Sequence, residues 1–393
     1  MRTNFTGFVL AWAAASASAP ALTATFETDA LPPLSMEIGG YLQSDARFFD
    51  DSDVEQTDTF LIRRARANFD GSFGEDVTFR IGAEFGNGAD GELYDAYVDW
   101  AAFPVGSLRV GKFKPPIGLE LLQSNQRLWF TERSLVDNLV PSRDVGIVWQ
   151  TSGRLEAAFG VFNQATDRLR ESDDVDDRKT FVARLFGQPF GSGPLAGLGI
   201  GVAGSYGKAD QAAAESTAQT TGRNTVFRYA PTALRDGTES RISPQFYWFL
   251  GPVGILGEYV VSELELTDGT TREEIANEAW QVAWSWVITG EENSWKGVKP
   301  DSTYRVGGSG WGAFELVARV SSIEFDDDLF PLFADPGSSV SEARAYEAGL
   351  NWYPNSALKV ALNVARTEFD GGAGGGADRE DEDLLLARLQ IAF

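Results

Sequence analysis

The stretch WQVAWSWVIT, Trp280–Thr289, alternates large apolar residues with small or polar ones and decides the fold. One face carries three tryptophans, a valine and an isoleucine; the other carries Gln281, Ala283, Ser285 and Thr289, with Val287 as the apolar exception. Residues 76–86 and 383–393 alternate in the same way. Period-two alternation predicts strands, and segments of about ten such residues are typical of a membrane β-barrel, apolar toward lipid and polar toward the lumen.

Alternation alone also fits a soluble β-sandwich, and two features favour the barrel. The non-aromatic face of several strands is too small and polar for a sandwich core, as in Gly199, Gly201, Ala203 and Ser205. Aromatic residues also crowd the predicted strand ends, as the interfacial girdles of membrane proteins do. Examples are Trp100, Phe103, Trp149, Phe246, Trp248, Trp352 and Tyr353.

The pattern predicts sixteen antiparallel strands, an even number, as single-chain bacterial barrels have. Their expected spans are 36–48, 59–70, 76–86, 92–101, 106–113, 144–151, 153–162, 178–186, 197–206, 241–250, 252–262, 277–289, 310–321, 343–353, 356–367 and 383–393. Short and long connections alternate between them, as inner turns and outer loops do. The 290–309 stretch breaks this rule, and alternation gives no account of it. A ring this wide leaves a water channel.

The first residues predict export. Arg2 is a weak basic start, Phe8–Ala15 is a short apolar core, and small residues surround Ala24, so residues 1–24 are expected to be a secretory signal peptide. Residues 25–393 then form the barrel. Beyond the signal peptide no apolar run approaches the roughly 20 residues of a membrane helix, and the expected location is the outer membrane.

Composition excludes most enzyme classes. The chain has no histidine and no cysteine, so it offers no His-based triad, no imidazole ligand and no thiol chemistry. No cofactor is expected. A carboxylate-pair glycosidase stays open on composition alone, although the inward carboxylates Glu84, Asp95 and Asp99 lie beside arginines that would keep both members of a pair ionised. The net charge of −24 makes nucleic acid an unsuitable partner.

The acidity belongs to the predicted outer loops. Removing Arg2 with the signal peptide takes the net charge from −24 to −25, and the loops predicted to face outward carry all of it. Clusters of aspartate could hold Ca²⁺ or Mg²⁺ that bridges lipopolysaccharide phosphates, but none has EF-hand spacing, and solvated loops explain them more simply. They are Asp50, Asp51 and Asp53; Asp173, Asp174, Asp176 and Asp177; and Asp326 to Asp328.

Basic residues stand out on the second predicted strand. Arg64, Arg66 and Asn68 share one face and Ala65, Ala67 and Phe69 the other. Because an arginine facing lipid at mid-depth costs roughly 2–4 kcal/mol, Arg64 and Arg66 are expected to face water, as is Arg80. Arg63 has the opposite parity, which a bulge, a subunit interface or a position near the rim would explain. Such a stripe suits anion passage; alternatively it pairs with Glu84, Asp95 and Asp99.

The long loop 114–143 differs from the acidic loops. Its basic residues are Lys114, Arg127, Arg133 and Arg143, and its net charge is +1. It also contains Leu119, Leu121, Leu122, Leu128, Trp129 and Phe130, which a solvated loop would not favour. The loop is expected to fold inward and constrict the channel; the alternative is that it covers a neighbouring subunit.

These stretches resemble the phosphate-selective porin O and P family. The resemblance rests on RRAR at 63–66, GKFKPPIGLE at 111–120, TGEENSWKGVKP at 289–300, GAFELVARVSSIEFDDD at 312–328 and the final Phe393. It covers nearly the whole mature chain, including 290–309. It implies a sixteen-stranded, trimeric outer-membrane channel, surrounded by lipid and lipopolysaccharide, that in some members binds phosphate or polyphosphate through arginine and lysine ladders. The matching positions are Arg63, Arg64 and Arg66, then Lys112 and Lys114.

Two functional hypotheses follow. In the first, the chain is an anion-preferring porin that takes up small hydrophilic anions, phosphate among them. In the second, it is a general or cation-preferring porin whose acidic loops dominate the field. The acidic outer loops depart from an arginine and lysine ladder, and few inward basic positions are expected on the later strands.

Overall fold

The computed structural model describes residues 22–28, 31–50, 57–86, 91–101, 103–163, 177–213 and 216–393, with side chains from Pro33 onward. The predicted signal peptide therefore lies almost wholly outside the described residues, and it stays a prediction. The same holds for Asp51, Asp53 and the 173–176 aspartates.

Twenty strands are described, and most follow the alternating segments. They are β1 Leu22–Thr28, β2 Leu31–Phe49, β3 Thr59–Phe73, β4 Val77–Glu84, β5 Glu92–Trp100, β6 Ser107–Phe113, β7 Asp144–Gln150, β8 Leu155–Phe162, β9 Thr180–Gly187, β10 Leu198–Ala212, β11 Thr217–Gln219, β12 Thr225–Arg228, β13 Leu234–Leu250, β14 Val253–Thr267, β15 Arg272–Val287, β16 Ala313–Glu324, β17 Val340–Tyr353, β18 Leu358–Ala373, β19 Ala377–Asp378 and β20 Glu382–Ala392.

Sixteen of these strands form one closed antiparallel ring. It runs from β2 to β10, continues through β13 to β18, and ends with β20, which pairs back onto β2. The two ends also meet through Gly40 and Phe393, whose backbone groups exchange hydrogen bonds of 2.9 and 3.0 Å. A closed sheet leaves no unpaired edge. The predicted sixteen-stranded barrel is thus confirmed.

Several strands extend beyond their predicted outer ends. β10 reaches Ala212 and β13 starts at Leu234, whereas the predicted spans were 197–206 and 241–250. Apolar alternation set those predicted limits, and it stops where the outward positions become charged, although the hydrogen-bonded ladder continues. The additional strands β1, β11, β12 and β19 pair outside the ring or at its margins.

The two faces of the wall differ as predicted. On β15, Trp280, Trp284 and Trp286 are 37–42% exposed, while Gln281 and Ser285 are at most 1% exposed. The outer face is therefore apolar and the inner face polar. No helix among the described residues is long and apolar enough to cross a membrane.

Residues 114–143 touch inner-face side chains of many strands. The segment contains a short helix, α1 Leu119–Leu122, and a 3₁₀ turn, Leu135–Asn138. Its hydrogen-bond partners include Gln43 on β2, Arg64 on β3, Glu258 on β14, Gln281 on β15, Arg319 on β16, Asn351 on β17, Asn363 on β18 and Arg388 on β20. Partners this far around the ring place the segment against the inner face of the wall.

An apolar cluster covers part of that inner face. It joins Ile117 and Leu135 from the segment to Phe227 on β12 and to Leu329 and Phe333 from the loop before β17. Phe227 stacks on Phe325 with 3.9 Å between the ring centroids. Loops between ring strands therefore also turn toward the interior, and the loop between β11 and β12 meets β2, where Arg47 Nη1 donates to Gly222 O at 3.0 Å.

Residues 290–309, whose length alternation did not explain, contact both the barrel wall and the 114–143 segment. The backbone N–H of Asn293 donates to Gly251 O at 2.8 Å. Trp295 stacks on Tyr247, and its carbonyl accepts from Gln123 Nε2 at 3.0 Å. The stretch is long because it folds back against β13 and the β13–β14 turn and supports the 114–143 segment.

Candidate functional site

A bulge brings Arg63 onto the inner face. The pairing of β2 with β3 shifts between Gln43 and Ser44, which oppose Arg64 and Ile62. Arg63 is the extra residue, and an extra residue breaks the side-chain alternation of the strand. The bulge is therefore the explanation of Arg63's parity that the structure supports, and Arg63 and Arg64 point toward the same partner.

That partner is Glu132 of the 114–143 segment. Its Oε1 accepts from Arg63 Nε at 2.5 Å, and its Oε2 accepts from Arg63 Nη2 at 3.0 Å. Arg64 Nη2 lies 3.4 Å from the same carboxylate. Two-point contact between a guanidinium and a carboxylate is the strongest hydrogen-bonding geometry of this pair.

Two further arginines reach Glu132 from other strands. Arg388 Nη2 lies 3.1 Å away and Arg47 Nη2 lies 3.4 Å away. We call Arg47, Arg63, Arg64 and Arg388 the arginine cluster; each is at most 7% exposed.

Among the described residues, the positive charges of the arginine cluster outnumber the negative charges of its carboxylate partners. Besides Glu132, the carboxylate in contact is Asp45, which binds Arg388 at 2.6 and 2.7 Å. Burial opposes ionisation of Glu132, but Arg63, Arg64 and Arg388 together hold the pKa of its carboxyl well below the usual range. Four guanidinium groups therefore face two carboxylates at this place on the wall.

Arg66 and Arg143 form a second group around one ring. Arg66 Cζ lies 3.4 Å and Arg143 Cζ 3.2 Å from the ring centroid of Tyr94. Each also has a carboxylate partner: Arg66 binds Glu84 at 2.6 Å and Arg143 binds Asp95 at 2.9 Å. Pairing with inner carboxylates, one of the two alternatives for the stripe, therefore applies to Arg66.

The other predicted residues lie apart from the arginine cluster. Arg80 binds Asp70 at 2.6 Å with its side chain 38% exposed, and Asp70 was not among its expected partners. Lys112 is 5% exposed and pairs in the ladders with Ala96 and Val145. Asp99, an expected partner of the stripe, binds Arg109 instead.

Within the segment, the basic residues mostly serve its own backbone. Lys114 Nζ donates to the carbonyls of Leu121 and Gln123; burial, with Arg133 and Arg143 nearby, lowers the pKa of Lys114 well below its usual value. Arg133 donates to the same two carbonyls. Arg127 is exposed. Lys114 and Arg133 therefore hold the segment's shape, and within the described part of the chain none of the three residues hydrogen-bonds to the arginine cluster.

Arg47 and Arg388, which are half of the arginine cluster, were not identified from the sequence. The expectation of few inward basic positions on later strands was also wrong. Arg184, Arg241, Arg319, Lys359 and Arg388 occupy inner-face positions on β9, β13, β16, β18 and β20. The parity test applied to Arg64 would have found Arg388, which alternates with Leu389 and Ile391 on the last strand. Its approach to Glu132 could not be found that way.

The described residues contain no grouping of three or more acidic side chains arranged to hold a metal ion. Asp326, from a predicted acidic cluster, instead accepts hydrogen bonds from the backbone of Ala276 and Asp328. For this cluster, the simpler explanation of ordinary loop structure agrees with the contacts.

Comparison with known proteins agrees with this architecture. The family model for phosphate-selective porin O and P matches residues 36–393. Porin O of Pseudomonas aeruginosa is 24% identical over 444 residues, covering all of both chains.

Three solved structures are similar in fold. The outer membrane channel DcaP of Acinetobacter baumannii gives a TM-score of 0.59 at 10% identity, covering 94% of this chain and 100% of that one. The outer membrane protein OmpT of Vibrio cholerae, in a trimer form, gives 0.58 at 10% identity, covering 92% and 99%. An anion-selective porin from Comamonas acidovorans gives 0.57 at 13% identity, covering 92% and 100%.

Proposed function

Because the chain belongs to the phosphate-selective porin O and P family, we propose that its arginine cluster lines the route of small hydrophilic anions through the barrel. The chain is an outer-membrane porin and not an enzyme. A sixteen-stranded ring is too wide for the side chains of its wall to fill. What passes is decided by the charges and segments inside the ring.

The excess of guanidinium groups around Glu132 carries the proposal. Arg63 and Arg64 come from β3, Arg47 from β2 and Arg388 from β20, so four cations converge at the point where the ring closes. Guanidinium stays protonated at any physiological pH and presents paired donors to oxyanions. A solute anion near this wall is attracted, and a cation is repelled.

The 114–143 segment is proposed as the constriction of this channel. It hydrogen-bonds to inner side chains on opposite parts of the ring, such as Gln43 and Glu258, and the apolar cluster around Phe227 narrows the interior further. Confinement in a narrow, weakly polarisable passage strengthens the field of the arginines.

Phosphate is the proposed example of the solute class. The family takes its description from phosphate selectivity, and phosphate oxygens match the paired donors of arginine. We further propose a homotrimer in outer-membrane lipid and lipopolysaccharide. The trimer form of the similar Vibrio protein supports the trimer, and the apolar outer face of β15 supports contact with lipid.

A cation-preferring porin is the second candidate, favoured by the net charge of −24. Among the described residues, however, a row of directly opposed carboxylates lies on the outward face of β15 to β18. Its members are Glu278, Glu324, Glu342 and Asp370. Charges outside the wall act on the lumen far less than Arg63 and Arg64 do, because separation and salt screen them.

Reversal potentials across a KCl gradient test the proposal. The native protein in a planar bilayer should prefer Cl⁻ to K⁺, and the double substitution Arg63→Gln/Arg64→Gln should shift the preference toward K⁺. Arg366→Gln is the control, since Arg366 lies on the outward face among Asp381 and Asp383. A native channel that prefers K⁺, or a double variant with unchanged preference, would rule the anion route out.

A further inference from the structure

We propose that Glu132 is a tethered anion that occupies the arginine cluster and thereby weakens the binding of free oxyanions there. The inference rests on the anion route proposed above and adds a residue that sets its affinity. Glu132 lies on the segment, not on the wall, so its carboxylate is a group that the segment brings to the cluster.

The contacts of Glu132 are those that a bound solute anion would make. Its two oxygens each meet Arg63, at 2.5 and 3.0 Å, and Arg64 and Arg388 lie at 3.4 and 3.1 Å. An oxyanion seeking paired donors on this wall finds them already taken.

The backbone on either side of this carboxylate is fixed to the barrel. Thr131 N donates to Asn363 Oδ1 at 2.9 Å, and its carbonyl accepts from Arg388 Nη1. The carbonyl of Glu132 itself accepts from Arg319 Nη2 at 3.0 Å. The position of the main chain is thus set by β16, β18 and β20, and only side-chain rotation is needed to withdraw the carboxylate from the cluster.

Donor capacity remains in the cluster although Glu132 is bound. Arg47 Nε is buried and has no acceptor among the described residues. Arg223, in the loop between β11 and β12, lies close enough to Glu132, Arg64 and Arg47 to interact electrostatically with all three. The site is built for more negative charge than one carboxylate supplies.

A tethered competitor such as Glu132 lowers the apparent affinity of the arginine cluster for a free anion. A free anion binds the cluster fully only in the fraction of time that Glu132 is withdrawn, and its apparent dissociation constant rises by the inverse of that fraction. A channel needs binding weak enough for release. Glu132 therefore favours passage over retention.

The experiment titrates inorganic phosphate against chloride conductance of single channels. In Glu132→Gln, the phosphate concentration giving half block should fall at least about tenfold, as expected if the carboxylate is withdrawn no more than about a tenth of the time. Glu315→Gln is the matched control, because Glu315 is also buried, at 0% exposed against 5% for Glu132, but among the described residues it accepts from Ser285, Asn351 and Tyr353 and pairs with no guanidinium. It should leave the half-block concentration unchanged.

The outcomes separate this inference from the proposed function. If native channels prefer Cl⁻ but Glu132→Gln blocks at the native phosphate concentration, Glu132 is not a competitor and the inference fails alone. If native channels do not prefer anions, the proposed function fails first. Should Glu132→Gln not assemble, Glu132→Asp replaces it: withdrawing the carboxylate by one methylene should lower the half-block concentration about two- to fivefold, and no change overturns the inference.

Discussion

Arg63 and Glu132 are joined by a two-point ion pair between the second strand of the ring and the segment inside it. The pair exists because a bulge in β3 turns Arg63 to the inner face, beside Arg64. Without the bulge, strict alternation from Arg64 would point Arg63 outward, away from Glu132. A local irregularity of one strand thus determines where the internal segment is held.

The charge state of Glu132 should be insensitive to mild acid. Arg63, Arg64 and Arg388 hold the pKa of the Glu132 carboxyl well below its usual range, against the effect of burial. The stabilisation from its ion pairs is therefore fully present above the unfolded pKa of about 4.5. It is lost only as pH falls through the depressed folded-state pKa. We expect the difference in reversal potential between native protein and Glu132→Gln to stay constant from pH 7 to about 4.5. A difference that vanishes within this window would show that Glu132 titrates normally.

Arg319 should be important for stability, because it binds two buried carboxylates. Its Nη1 lies 2.7 Å from Glu120 on the segment, and its Nε lies 2.6 Å from Glu347 on β17. Arg319→Met leaves both carboxylates buried without their cation, which costs about 3–5 kcal/mol. Urea unfolding in detergent micelles measures the loss.

Arg366→Met serves as the control for Arg319→Met. Arg366 also has carboxylate neighbours, Asp381 and Asp383, but its side chain is half exposed. Solvent screens such pairs, so its urea midpoint should match the native value. Equal losses in the two variants would show that burial of Arg319 has no energetic consequence.

The sequence predicted the ring because one rule acts on every strand. Side chains such as Trp284 and Ser285 must separate between lipid and water, so strand number and face were readable without any knowledge of contacts. Strand ends above the apolar belt were not readable, because the ladder of β13 continues where Asp236, Thr238 and Ser240 occupy the outward positions in place of apolar residues.

The site was only partly predictable for a related reason. Alternation identified Arg64 as an inner-face residue, but it cannot specify which residue of a distant segment a side chain meets. Glu132 lies 68 residues from Arg64 and 256 from Arg388. Such contacts depend on how the segment packs against the wall, for example through Phe130 on Arg319. The bulge at Arg63 also breaks the alternation from which its face was predicted.

Gly40 should tolerate no side chain, because strands approach closely where the ring closes. A Cβ at Gly40 would lie 2.2 Å from the carbonyl oxygen of Arg66 and 3.0 Å from the Phe393 ring. Gly40→Ala must separate β2 from β3, so we expect a large loss of refolding yield. The yield is measured by the difference in gel mobility between the folded barrel and the heat-unfolded chain.

Gly374→Ala is the control for Gly40→Ala, since nothing lies within 4 Å of a Cβ at that position and the backbone there is not in the left-handed region. Its refolding yield should equal the native one. If Gly40→Ala refolded as well as Gly374→Ala, the close packing at the seam would not be required for closure.

Tyr94 should hold Arg66 and Arg143 through its ring, not through its hydroxyl. Both guanidinium carbons lie within 3.4 Å of the ring centroid, and each cation–ring contact contributes about 0.5–2 kcal/mol. Tyr94→Leu removes both contacts but leaves the ion pairs of Arg66 with Glu84 and of Arg143 with Asp95. We expect a loss of about 1–4 kcal/mol in urea unfolding from the two contacts together, whereas Tyr94→Phe, which keeps the ring, should lose far less. Equal destabilisation by leucine and phenylalanine would assign the role to the hydroxyl and contradict the ring contacts.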